Sequence, residues 1–246
     1  MRHANRLVRK AIWFVVAILA AWPARSPADG LQISPLGATL STSNATSAFS
    51  LANGTGLPVL VQLHVKRWIQ GDGNDRLDDT DEILAAPPIF NLAQGATQVI
   101  RVGLRRQTAD LHERAYRLII AQVPAKTPGV KGVSLVVALS VPIFVQSENA
   151  VHGPSLQWSA EAIKHDEIRL RVDNSGDVHA HIVRLIVYGD IARTQALYQG
   201  TPAVYVLSGQ WRSWQIKLAR PPAANAVAID AVLDTGATLT AVAQVK

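Results

Sequence analysis

The chain has 246 residues, 48% of them hydrophobic and 17% charged, with no cysteine and a formal net charge of +6. That length suits two sandwich-sized domains of about a hundred residues each, and without cysteine the fold must rest on apolar cores rather than disulfides. Most of the excess charge is local: residues 1–28 hold five of the 24 Lys and Arg and none of the 18 Asp and Glu, so the remainder carries +1 and has no electrostatic footprint for nucleic acid.

The first segment reads as an export signal. Arg2, Arg6, Arg9 and Lys10 form a basic start, Ala11 to Trp22 an apolar run, and Ser26-Pro27-Ala28 a small-x-small cleavage site before Asp29. The apolar run is shorter than the ~20 residues a spanning helix needs, so residues 1–28 are expected to be a signal peptide and not an anchor. Residues 31–40 alternate weakly and are interrupted by Pro35 and Gly37, as in an irregular edge strand with a bulge. A short strand over 48–53 and a turn at Asn53-Gly54-Thr55-Gly56 follow.

Leu57 to Trp68 is a clear strand, with Val59, Val61, Leu63 and Val65 on one face and Gln62, His64 and Lys66 on the other. The acidic segment 71–82, with Asp72, Asp75, Asp78, Asp79, Asp81 and Glu82, has the composition of a calcium loop. It lacks the Gly at the sixth loop position and a following helix, so it is read as a solvated hairpin loop. A-P-P-I-F-N-L at 86–92 marks an extended corner, where the prolines permit a cis peptide without revealing one. Strands through Val99 and Arg101, and from Ala115 to Pro124, come next.

The strongest pattern is V-S-L-V-V-A-L-S-V-P-I-F-V, residues 133–145, in which every odd position is aliphatic. Period two over so long a stretch predicts a strand of about 40 Å, more than double the usual length. Part of it should lie at a sheet edge, and soluble proteins avoid long apolar edges unless another chain uses them. The alternative is an ordinary central strand. About seven strands and no helix make residues 29–147 an immunoglobulin-like sandwich. A linker at 147–155 leads to a second, smaller sandwich within 148–246, with strands expected at 166–173, 178–189, 203–207, 211–218, 226–233 and 237–245. The fold class is therefore all-β.

Nothing in the chain resembles a nucleophile elbow, a phosphate-binding glycine loop or a zinc spacing, so an enzyme, a cofactor and a metal site are not expected. His179 and His181 share a strand face, but two histidines without further ligands read as surface residues. The triplets starting at Asn44 and Asn53 match glycosylation acceptors only by pattern.

Taken in order, L-P-V-L-V-Q at 57–62, A-P-P-I-F-N-L-A-Q-G at 86–95, Q-V-I-R-V at 98–102, E-R-A-Y-R-L-I-I at 113–120, the strand ending P-I-F-V, R-V-D-N-S-G at 171–176 and V-L-S-G at 206–209 resemble the periplasmic chaperones of chaperone–usher pili. V-I-R-V-G-L-R-R with Y-R-L-I-I is most similar to the archaic branch. The resemblance implies a boomerang of two immunoglobulin-like domains, pilin subunits and an outer-membrane usher as partners, and donation of the last strand of the first domain to a pilin lacking its own. It places the donated side chains at Val133, Leu135, Val137, Leu139 and Val141, and allows self-association through that strand when no client is bound. The rival class is an exported adhesin or structural pilus component, which would carry a donor strand at its own N-terminus.

There is one departure from the family pattern. Many relatives hold the subunit's C-terminal carboxylate with an Arg in the first strand and a Lys near the end of the donor strand. Those positions align with Gly37 (or Leu36) and Pro142 here. Arg101 and Arg117, which interrupt otherwise apolar strands, are the candidate replacements; the alternative is that they pair with a structural carboxylate such as Glu113 or hold the domains together.

Overall fold

The computed structural model describes residues 30–105, 111–124, 137–150, 152–222 and 225–246. The expected signal peptide, Val133 and Leu135 lie outside the described residues. Those described contain eighteen strands and no helix, and no helix is long and apolar enough to cross a membrane.

The first sandwich is built from β1 (Leu31–Ser34), β2 (Ala38–Leu40), β3 (Thr46–Asn53), β4 (Val59–Gly71), β5 (Asn74–Asp79), β6 (Ile83–Ala86), β7 (Ile89–Leu92), β8 (Thr97–Leu104), β9 (Arg114–Val123) and β10 (Ala138–Val145). One sheet runs β1-β3-β8-β6 and the other β2-β10-β9-β4-β5, with β7 also on β4. The chain crosses from the first sheet to the second between β1 and β2, through a cis Ser34–Pro35 peptide. A second cis bond, Ala86–Pro87, lies in the expected proline corner. Phe49, Val61, Ile100, Leu118, Ile120 and Ile143 fill the space between the sheets. They alternate with outward residues, as period two requires.

The hairpin-loop reading of 71–82 is corrected. Only Asp72 and Gly73, both at positive φ, form the turn, and Asn74–Asp79 pairs with β4. Its carboxylates are used by cations: Asp79 by Lys66 at 2.5 Å, Asp78 by Arg76 at 3.1 Å, and Glu82 by Arg67 at 3.0 Å and Arg114 at 2.5 Å, with Tyr116 also donating to Glu82. Among the described residues no group of three or more acidic, His or Cys side chains could hold a metal.

The second sandwich has sheets β11-β12-β16 and β14-β13-β17-β18, with β15 on β13. The strands are β11 (Leu156–Lys164), β12 (Glu167–Asn174), β13 (Ala180–Tyr188), β14 (Ala196–Gly200), β15 (Val204–Val206), β16 (Trp211–Lys217), β17 (Ala226–Leu233) and β18 (Thr238–Gln244). Sequence reading missed β11 and β14. β11 alternates Leu156, Trp158, Ala160 and Ala162, too small an apolar face to register beside its polar residues.

A buried asparagine plugs each sandwich at the same kind of turn. Asn53, 1% exposed, donates to the carbonyls of Leu57, Leu92 and Ala93 and accepts from the Thr55 N–H. Asn174, 2% exposed, donates to Val178 and Val206 and accepts from Ser155 and Gly176. Each satisfies backbone groups that would otherwise be buried without partners. The Asn53 triplet is therefore structural.

Candidate functional site

β10 lies second in its sheet, but its outer neighbour is short. β9 pairs with all of Ala138–Val145, whereas β2 covers only Ile143, Phe144 and Val145, and does so in parallel. Among the described residues nothing pairs with 138–142 on the side away from β9, which leaves an edge there. Val141, Ile143 and Val145 point into the core at 4%, 0% and 6% exposure, Leu139 packs against it half-buried, and Val137 is 44% exposed. On the facing sheet, edge strand β1 offers Leu31 and Ile33, also only partly buried against the same core. The result is a sandwich corner with apolar side chains from both sheets and a free strand edge.

Over the described residues 137–145 the odd-numbered side chains divide between two environments. Val137 and Leu139 border the open corner, whereas Val141, also expected as a donated side chain, is buried in the domain's own core. Val141 is buried because the odd face turns inward where the two sheets close over it.

The other face of this sheet meets the second domain. Trp68, Ala115 and Phe144 stand at outward positions, yet they are 2%, 6% and 5% exposed because Leu207 and Tyr205 cover them. Gln70, 3% exposed, is the polar staple of this junction. Its Nε2 donates to the Tyr205 carbonyl at 2.8 Å, its Oε1 accepts from the Leu207 N–H at 3.0 Å, and its own N–H donates to Gln210. Glu113 accepts from the His179 N–H at 3.0 Å and lies 2.6 Å from His179 Nδ1. His179 stacks on Phe144 at 3.6 Å and His181 on Tyr205 at 3.9 Å. The two histidines are junction residues, not the bare surface residues expected from sequence. Trp68 was the legible signal: a large aromatic on the face that Gln62, His64 and Lys66 make polar.

The structure separates the two candidate anchors. Arg101 lies on β8 between Ala48 and Ala86, in the sheet that does not contain β10, and is exposed. Its neighbours Ile100 and Val102 are buried at 0% and 1%, so V-I-R-V is plain alternation and Arg101 merely takes an outward position. The argument from interruption fails there.

Arg117 is different. It lies opposite Pro142 on β10 and Lys66 on β4, half-buried, with its guanidinium carbon 3.6 Å from the Trp68 ring centre and 5.5 Å from that of Tyr205. Burial pulls the Arg117 pKa below its ordinary value, opposed by nearby Tyr205 and Asp75. Burial also pushes the Tyr205 phenol up, leaving a neutral ring beside the cation. Glu113, offered as its partner from sequence, is engaged by His179 instead. Among the described residues, no carboxylate forms an ion pair with Arg117, whereas Lys66, Arg67 and Arg105 are paired with Asp79, Glu82 and Asp81. Gly37 and Pro142 are in contact: a Cβ on Gly37 would sit 3.4 Å from the Pro142 ring. The two positions aligned from sequence with the expected cation pair thus lie side by side without charge, with Arg117 opposite Pro142.

Residues 30–150 match the family model for the N-terminal domain of pili and flagellar-assembly chaperones of the PapD type. No curated protein sequence matches the chain. Among solved structures, a chain of the CsuC–CsuE chaperone–tip adhesion subunit pre-assembly complex from the archaic Csu pili of Acinetobacter baumannii is 23% identical. That likeness covers 88% of this chain and 99% of the other, with a TM-score of 0.66. A chain of the Salmonella enterica complex of SafA pilin with the SafB chaperone is 17% identical over 86% of this chain and 93% of its own, at a TM-score of 0.57. The Escherichia coli chaperone DraB is 17% identical over 89% and 97%, at 0.56. The fold is the two-domain immunoglobulin-like fold of these chaperones, and residues 30–150 belong to the family of non-enzymatic pili and flagellar-assembly chaperones.

Proposed function

We propose that this protein acts in the periplasm as an archaic-branch pilus chaperone, binding pilin subunits through donation of its residues 133–139 and passing them to an outer-membrane usher. Residues 29–147 form the client-binding domain and 148–246 the second domain. The observation that carries the reading is the unpaired edge of Ala138–Pro142 beside half-buried Leu139 and exposed Val137. An incomplete sandwich in the client presents the complementary defect, an apolar groove with an unpaired edge, and one added strand satisfies both. Each aliphatic side chain seated there contributes roughly 1.5–3 kcal/mol. The solved chaperone–subunit complexes of similar fold support a pilin as the occupant.

Arg117 is the residue proposed to hold the client's C-terminal carboxylate. It is a half-buried guanidinium on the same sheet as β10, and among the described residues no ion pair consumes it. The test of the function is co-expression with the cognate pilin. Val137→Glu and Leu139→Glu should abolish pilin recovery while the chaperone remains folded. Normal recovery with both would reject the donor reading.

A further inference from the structure

The contacts around Arg117 show how its charge is aimed. A guanidinium has two recognition surfaces: a flat face that stacks on aromatic rings, and an edge of N–H donors that matches a carboxylate. Here two aromatic rings pack against the guanidinium, and among the described residues no carboxylate pairs with its N–H donors. Trp68 lies 3.6 Å from the guanidinium carbon and Tyr205 5.5 Å, and the two rings meet edge to face at 5.3 Å.

Each ring is in turn held by the second domain. The Trp68 indole N–H donates to Asp75 at 2.8 Å, and Arg212 of the second domain binds the same carboxylate oxygen at 2.7 Å. Tyr205 belongs to the second domain outright. Its outer face stacks on His181, with an interplanar angle of 5°, and Asp234 lies 3.1 Å from the His181 Nδ1. Its backbone carbonyl is tied to Gln70 of the first domain at 2.8 Å.

We infer that Tyr205 is a positioning residue for client binding: with Trp68 it packs against the Arg117 guanidinium and holds it in place with N–H donors left for a carboxylate. The second domain therefore takes part in recognising the client's C-terminus without touching it. The inference rests on the reading of Arg117 as the anchor, and goes beyond it by assigning the aim of that anchor to a residue of the other domain.

The test is the side-chain Nε–H resonance of Arg117 in the exported protein, assigned by its loss in Arg117→Lys and followed by nuclear magnetic resonance. Acetate is titrated at constant ionic strength, with neutral acetamide as the control. In the wild type the resonance should shift saturably with acetate and not with acetamide. Tyr205→Phe, which keeps the ring, should behave as wild type. Tyr205→Leu should weaken acetate binding about three- to fivefold, the range expected for losing one cation–π contact. A merely structural role for Tyr205 would leave the acetate response of the folded variant unchanged. If Tyr205→Leu does not fold, His181→Ala removes the support behind the ring and should weaken acetate binding in the same direction. A wild-type resonance indifferent to acetate overturns the anchor reading and this inference with it. An acetate response in wild type that is undiminished in Tyr205→Leu, or in His181→Ala where the first variant is unfolded, overturns the role of Tyr205 alone.

Discussion

The two halves of β10 share one sequence pattern and meet opposite environments. From Val141 to Val145 the aliphatic positions are sealed in the first core, and β2 closes the last three residues of the strand. From Val137 to Ser140 the same alternation continues with nothing on its outer side among the described residues, and exposure rises to 44% at Val137. Periodicity in a strand states that one face will be buried, but not by which chain. The C-terminal half of the pattern is a private core; the N-terminal half is consistent with a core shared with a client.

The largest expected effect sharpens that contrast. Ile143→Glu would bury a carboxylate in a site with no polar partner, at a cost of several kcal/mol, a large part of a domain's stability. It should prevent folding of the chaperone itself. The milder Ile143→Ala should cost about 2–5 kcal/mol in denaturant unfolding. Leu139→Ala, at a half-buried position, should cost clearly less than Ile143→Ala while weakening pilin capture more. If the two alanine variants lose stability equally, the halves are not distinct.

The next effect concerns the junction. Gln70→Ala would leave the Leu207 N–H and the Tyr205 carbonyl without these partners, a cost of roughly 1–3 kcal/mol. It should appear as a separate, earlier unfolding step of the second domain in calorimetry. A single transition at the wild-type temperature would show that the staple carries little.

The smallest expected effect on stability distinguishes the two arginines. Arg101→Ala, at an exposed position, should change stability by less than about 0.5 kcal/mol and leave pilin binding intact. Arg117→Ala should reduce pilin binding at least tenfold with a modest change in melting temperature. Equal binding by both variants would remove Arg117 as the anchor.

This pairing also shows what could be read from the sequence. The all-β class and the long alternating strand follow from local period-two patterns, which the backbone obeys without tertiary information. Arg101 and Arg117 look alike in sequence, each a cation among aliphatics, and only sheet order reveals that one faces solvent and the other the second domain. The junction was partly legible. Trp68 lies on a strand face otherwise read as polar, and a large aromatic there is a sign of a second covering surface. Tyr205, His179 and His181 gave no such sign, because their role depends on two domains meeting. Strands β11 and β14 were missed because alanine and short length weaken the alternation that marks a strand.

The most direct test of the donated edge is amide hydrogen exchange across residues 138–142, of which Pro142 has no N–H, with and without a bound pilin subunit. In the free protein the amides directed away from β9 should exchange quickly while those of Ile143 to Val145 are protected by β2. With pilin bound, the same outward amides should slow by at least an order of magnitude and the 143–145 segment should hardly change. Equal exchange over 138–142 in the two states would contradict strand donation by β10.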